Sequence, residues 1–448
     1  MAVSLAKSSG RELNAVIHPA YESAVEQAGS VPLSGPFGAL PFVLKDSSLA
    51  STDLPMSIGS HLFRDTSSAY NATLTQRFLD AGFLPFARST VPELCMAPTT
   101  EAVINGGPTL NPWDHTRSSG GSSGGAAALV AAGVTPIAHG SDGGGSIRIP
   151  ASCCGVFGLK PTRGRVPTGP SKGEIWGGMG TDGVLTRTVR DTALVLDAIS
   201  GRELGGPYDS APPSVSFSDA IRPDKNARPL KIGVWREAWD GIPIDQECLD
   251  AVELCATLCR ELGHEIVDDT PPRFDYQTFF NSHLNVLAAN VVTAVNGKLE
   301  SGSKQLADGD LEPALLDAYA FGQGLTAEDY VLAINNFHHV TRVFQEHTDA
   351  FDLIISPMLT KKPVELGYFS TQGNFRDFRW KVAEYAAFSA IMNASGQPAA
   401  SVPVHWAGTL PVGVQLIGQF GRDDLVLRVS AELERAKPWA HHYERLWA

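Results

Sequence analysis

Lys45 stands directly after an apolar run, Ala39-Leu-Pro-Phe-Val-Leu44, and is followed by Asp46. An ammonium at the end of a buried strand is costly to desolvate unless it is paired or gives up its proton, whereas one that reaches solvent from the strand end would be ordinary. Further along, two clusters rich in glycine and serine, Gly120 to Gly125 and Gly140 to Ser146, flank an alanine-rich run that on its own would be a helix. A flexible linker is not built this way. Glycine tolerates positive φ and lets a second backbone or a substrate approach closely, at an entropic cost that only a structured site recovers. Backbone amides that converge in a concavity bind an anion or a developing oxyanion. The pattern therefore points to a site built from backbone, with serine hydroxyls in it.

Several chemistries compete for these clusters. Neither is followed by the Lys-Ser or Lys-Thr of a P-loop, and their glycine spacing departs from the dinucleotide-binding fingerprint. Gly121-Ser-Ser-Gly-Gly125 fits the G-x-S-x-G nucleophile elbow with Ser123 at its centre. That motif demands an acid and then a histidine downstream, and the histidines here have no recognisable context. A fourth reading joins Lys45, Ser122 in the first cluster and Ser146 in the second. No catalytic metal is expected: His264-Glu265 begins an HExxH pattern that Asp268 breaks, and His338-His339 and His441-His442 are adjacent pairs that do not turn easily onto one ion.

Composition bounds the alternatives. The chain has 448 residues, of which 43% are hydrophobic and 19% charged, enough apolar matter for a sizeable core and too little charge for disorder. A formal charge of −13 without a cluster of Lys and Arg argues against a nucleic-acid partner. The first residues lack the apolar segment of a signal peptide, and the run Ala126 to Ala138 is broken by Gly, Thr and Pro short of a membrane span. The six cysteines show neither CxxC spacing nor a disulfide framework, and Cys248, Cys255 and Cys259 fall on one face of a helix as buried thiols would. A cytoplasmic protein without membrane contact is expected.

Elements that must position the site follow from periodicity. Helices are expected at Arg11 to Ala28, Thr73 to Ala81, Asp245 to Leu262, Ala386 to Asn393 and Leu425 to Arg435. Another opens at the capping box Thr188-Val-Arg-Asp191, and residues 274 to 350 read as mostly helical, with a further cap at Thr326. Strands are expected at Ala39 to Leu44, Phe83 to Ala87, Leu230 to Trp235, Leu353 to Ser356, Ala400 to Val404 and Val412 to Ile417. Long loops run from Val91 to Trp113 and from Gly158 to Gly183, and residues 202 to 229 form an exposed connection. The alternation predicts an α/β fold, a large mixed, mainly parallel sheet sandwiched between helices.

At this point the GGSSGG run at Gly120 to Gly125 and Gly140-Ser-Asp-Gly-Gly-Gly-Ser-Ile-Arg148 resemble the amidase signature family. The likeness continues through the strand ending in Lys45-Asp46, the turn Gly107 to Trp113, Gly158 to Gly164, Gly183 to Asp191, Gly396-Gln-Pro and Leu410 to Gln415. It implies one domain over residues 1–448, with a signature core at about 70–200 and a variable helical substrate wall at about 274–350. It implies Ser146 as nucleophile, Ser122 as a bridging serine after a cis peptide, and Lys45 as base. The N–H groups of Gly143, Gly144, Gly145 and Ser146 would form the oxyanion hole. Ser123 is expected near Lys45, Asp142 paired with Arg148, and Cys95 and Met96 in the substrate wall.

Physical chemistry supports these roles. Serine needs a base within hydrogen-bond reach, and a lysine serves only when neutral, which for a free side chain costs about 4–5 kcal/mol at neutral pH. Burial behind Phe42 and Leu44 would supply that shift.

No cofactor is implied. The expected activity is hydrolysis of a small non-peptide carboxamide, linear or cyclic, through an acyl-serine intermediate. The segment wording resembles most the subgroup of 6-aminohexanoate cyclic dimer hydrolases and xenobiotic amidases. A urethane or carbamate hydrolase uses the same triad, and an amidotransferase A-type subunit is a further alternative, although Ala138-His139-Gly140 differs from its usual wording. The partners expected are an amide or carbamate substrate and at most a second copy in a homodimer. Two departures stand out: Lys45 comes early, so helices ahead of it are shortened and the entrance is expected to be more open, and Ala102 stands where the family often has asparagine.

Overall fold

A computed structural model describes residues 1–29, 35–47, 49–64 and 66–447. Residue 448, the end of the expected domain, lies outside them. The apolar runs become strands β1 (Val16–Ile17), β2 (Leu40–Lys45), β3 (Phe83–Ser89), β4 (Leu110–Asn111), β5 (Asp114–Ser118), β6 (Ile137–Asp142) and β7 (Phe157–Lys160). They continue as β8 (Thr181–Thr186), β9 (Lys231–Val234), β10 (Glu265–Asp268), β11 (Leu353–Pro357), β12 (Ala399–Ala407) and β13 (Leu410–Gly418). Eleven of these form one sheet in the order β1-β3-β2-β6-β8-β7-β12-β13-β11-β9-β10, and β4 pairs with β5 separately.

The sheet is mixed. Parallel pairing runs through β3-β2-β6 on one flank and β11-β9-β10 on the other, where helices carry the chain between strands. Between the flanks, β6-β8-β7-β12-β13-β11 pair antiparallel. Strand periodicity sends alternate side chains to opposite faces. In β11, Leu353 and Ile355 join an apolar cluster with helices Gly124–Ala131, Val189–Ile199, Gln246–Glu261 and Asp423–Ala436. Ile354, between them, joins the cluster on the other face with helices Tyr276–Gly302 and Ala327–Thr348. Helices thus cover both faces, as the alternation predicts.

Local chemistry set many boundaries. Thr188 Oγ1 accepts from the Asp191 amide at 3.1 Å, and the box at Thr326 and Asp329 is complete in both directions. The sequence reading differs from the structure in several places. The expected helix at Arg11 to Ala28 is split: Asn14 and His18 adopt positive φ, Val16–Ile17 adds an edge strand to β3, and only Tyr21–Ala28 is α-helical there. The Ala386 to Asn393 helix is displaced into two, Phe375–Tyr385 and Ala390–Ser395. Strands β6, β7 and β8 occupy segments read as glycine-rich loop, because buried pairing on both sides overrides the weak strand propensity of Gly, Ser and Asp.

Candidate active site

Strand β2 delivers Lys45 to the middle of the protein. Phe42, Val43, Leu44 and Lys45 are all 0% exposed. Arg88 of β3, itself buried, donates to the Lys45 carbonyl at 2.9 Å and to the Leu49 and Leu54 carbonyls, so the chain leaving the strand is held in place. Burial lowers the pKa of Lys45, and the nearby Cys95, Asp182 and Asp142 act in the opposite direction.

Its amine meets three oxygens: Ser122 Oγ at 2.7 Å, Ser141 Oγ at 2.8 Å and the Ser141 carbonyl at 3.2 Å. An ammonium donates to all three. A neutral amine keeps two N–H donors for Ser141 and turns its lone pair to the Ser122 hydroxyl, which then donates to it.

The first glycine cluster holds Ser122 fully buried after a cis Gly121–Ser122 peptide. No side chain fits at Gly121, where a Cβ would strike the Thr99 carbonyl oxygen. Ser123 begins the buried helix Gly124–Ala131, and its amide donates to the Ser146 carbonyl at 3.2 Å, which joins the two clusters. Ser123 and Lys45 meet on one acceptor: the Ser123 hydroxyl reaches the Ser141 carbonyl at 3.4 Å and the lysine amine reaches it at 3.2 Å, while the Ser141 hydroxyl also bonds the amine.

The second cluster is organised by Asp142 and Arg148, both 0% exposed. One Asp142 oxygen accepts from the Gly145 amide at 2.7 Å and from Arg148 Nη2 at 2.9 Å. The other accepts from the Ile147 amide at 3.1 Å and from Arg148 Nε at 2.9 Å. Burial would by itself raise this carboxyl, yet Arg148 and Asn393 hold it well below the usual carboxylate range. Arg148 then reaches Gln415 at 2.6 Å and Asn393 at 2.7 Å, so the loop is tied to β13 and to helix Ala390–Ser395.

One consequence alters the expected oxyanion hole. The Gly145 amide is spent on Asp142, which leaves those of Gly143, Gly144 and Ser146 without an acceptor among the described residues. Gly145 itself has φ +118°, and a Cβ there would lie 2.7 Å from Ile149 Cδ1.

Ser122, Ser141 and Ser146 line one cavity of about 710 Å³, together with Cys95 and Met96. Burial raises the pKa of the Cys95 thiol, and the charge of Lys45 acts in the opposite direction. Met96 is fixed by Arg379, which donates to its carbonyl at 2.6 Å. Of the helical stretch 274–350, helix Tyr276–Gly302 contributes cavity wall from Asn290 to Ser301.

Behind the lysine lies a pair the sequence reading assigned no role. His139 Nδ1 accepts from the Lys45 amide at 3.2 Å, so its Nε2–H faces Asp182 Oδ1 at 3.0 Å. Burial lowers the imidazole's pKa more than Asp182 raises it, and the ring is neutral. The signal for His139 and Ser141 was present. They sit two apart on one face of β6, a spacing the sequence shows, and both reach Lys45, His139 at its amide and Ser141 at its amine.

Known proteins resemble this chain over nearly its whole length. The amidase family model matches residues 3–427. The 6-aminohexanoate-cyclic-dimer hydrolase of Paenarthrobacter ureafaciens is 33% identical over 441 residues, 96% of this chain and 88% of that protein. A solved structure of 6-aminohexanoate cyclic dimer hydrolase complexed with substrate superposes with a TM-score of 0.93 at 30% identity, covering 100% of this chain and 94% of the other. A bacterial aryl acylamidase of the amidase signature family superposes with a TM-score of 0.89 at 27% identity, again over 100% and 94%.

Proposed function

The chain belongs to the amidase family and is a hydrolase of non-peptide amide C–N bonds, and from that premise we propose that it cleaves a small carboxamide, linear or cyclic, through an acyl-serine intermediate. The observation that carries the mechanism is the 2.7 Å contact between Lys45 Nζ and Ser122 Oγ, both 0% exposed, at a cavity that Ser146 also lines.

Ser146 Oγ attacks the amide carbonyl while Ser122 takes its proton and passes its own to the neutral Lys45. The oxyanion that forms is met by the free amides of Gly143, Gly144 and Ser146. The protonated lysine returns the proton through Ser122 to the departing nitrogen, which leaves as a neutral amine. Water then enters by the same relay and frees the acid.

Similarity to proteins named as 6-aminohexanoate cyclic dimer hydrolases supports a nylon-oligomer-like amide. A carbamate carbonyl offers the same atoms to the same relay. One unit spanning the whole chain and a cytoplasmic setting, in keeping with six unpaired thiols, complete the reading. Hydrolysis of a chromogenic anilide and of a cyclic bis-amide by the purified chain tests it. Turnover should vanish in Ser146→Ala, together with the mass shift that a serine-directed inhibitor leaves on the wild type; turnover that persists in this variant overturns it.

A further inference from the structure

Charges on the wall of the active-site cavity are unbalanced. Three carboxylates line it, and each is already spent. Asp142 is bound by Arg148 and Asp182 faces His139. Glu174 accepts from the Tyr208 hydroxyl at 2.7 Å and lies in the field of the Arg163 guanidinium.

Two cations on the same wall have no such partner. Lys298, on helix Tyr276–Gly302, donates to Thr66 Oγ1 at 2.7 Å, and that hydroxyl sends its own proton to the Phe63 carbonyl at 2.6 Å. One of its three donors is thus placed on a neutral oxygen, and no carboxylate pairs with it among the described residues. Lys172, on the exposed loop after Pro170, likewise forms no ion pair there. Phe63, Leu94, Met96 and Trp176 give the same cavity apolar lining.

We propose that the cavity is built for an amide that carries a carboxylate on an apolar spacer, the carboxylate held by Lys298 with Lys172 beside it while Ser146 faces the amide carbonyl. This rests on the reading of Ser146 as nucleophile and narrows it toward open-chain acids. A carboxylate satisfies the spare ammonium donors with a charge-assisted hydrogen bond, which the neutral Thr66 hydroxyl does not. The volume, about 710 Å³, accommodates a substrate of this length.

The test uses the full chain and two matched probes, the mono-4-nitroanilide of adipic acid and hexanoic acid 4-nitroanilide, with 6-aminohexanoic acid 4-nitroanilide as the ammonium counterpart. The wild type should favour the carboxylate over the neutral probe by about ten-fold or more in kcat/KM, a ratio that shrinks as salt is raised. Lys298→Met should collapse that ratio, and Lys298→Glu should reverse it in favour of the ammonium probe, with circular dichroism showing both variants folded. A ratio near one in the wild type, or one that survives Lys298→Met unchanged, overturns the proposal. Turnover of all three probes that persists in Ser146→Ala instead overturns the underlying reading of the nucleophile.

Discussion

Lys45 Nζ and Ser122 Oγ lie 2.7 Å apart with neither side chain exposed to solvent, and the second hydroxyl on that amine, Ser141 Oγ, lies at 2.8 Å. A buried amine with two hydroxyls in contact and no carboxylate bonded to it among the described residues is poised to lose its proton, since burial penalises the charged form.

If the amine is the base, its identity matters more than its hydrogen bonds. Lys45→Met and Ser122→Ala should each lower kcat by about a thousand-fold or more. Lys45→Arg should do the same although it keeps donors in place, because a guanidinium stays protonated. Steady-state kinetics on a chromogenic anilide decide it, and substantial turnover by Lys45→Arg would sink the base assignment.

The pH profile carries a signed expectation. The relay needs a neutral amine, so kcat/KM rises with pH through the Lys45 pKa, which burial holds below its ordinary value of 10.5. The Asp182 carboxylate pulls that pKa upward. Asp182→Asn removes the negative charge, so the rising limb should move to lower pH, while Asn still offers an oxygen to His139. A limb that stays in place or moves to higher pH contradicts the coupling.

Removing one member of the Asp142–Arg148 pair leaves a buried charge uncompensated. Asp142→Asn or Arg148→Met should cost about 3–5 kcal/mol of stability, and the loop amides should lose their alignment. The sign with pH follows from the lowered Asp142 pKa: its contribution is present above the unfolded value of 3.8 and is lost as pH falls below it. Denaturant titrations should therefore show the gap between wild type and Asp142→Asn narrowing in acid, and a constant gap would contradict the linkage.

Glu93, just ahead of Cys95 and Met96, behaves in the opposite sense. Burial pushes its carboxyl from 4.5 to about 8, although the Glu312 amide donates to it at 2.7 Å. Between those pH values the folded protein holds a proton that the unfolded chain has released, so stability falls as pH rises through the window. Glu93→Gln does not titrate. Its stability relative to the wild type should improve between about pH 5 and about pH 8 by on the order of 1–3 kcal/mol, read from denaturation at both values. An unchanged difference would show that the carboxyl is ionised in the folded state.

Sequence patterning alone made part of this protein legible. The apolar run before Lys45, the two glycine-serine clusters, the N-cap at Thr188 and the capping box at Thr326 depend on neighbours a few residues away, and each appears where local chemistry put it. Hydrophobic periodicity also gave the layered α/β architecture, because one face of each strand and helix must be buried whatever its partners are. Family wording supplied the residues to watch, Lys45, Ser122 and Ser146, without saying where they would meet.

Tertiary structure decided the rest. The strands β6, β7 and β8 each include glycine, which has little strand preference, and neighbouring strands satisfy their backbone groups. Ser141 bonds the amine, and the Gly145 amide goes to Asp142, contacts that exist only once the strands and the glycine loop are packed together. Arg148 joins Gln415 and Asn393, hundreds of positions away in the chain, and Lys298 meets Thr66 across the cavity. Periodicity reports which face of an element is buried, but only the packed sheet and helices determine what that face touches, and in this cavity those contacts set the charge of an amine and the direction of each N–H.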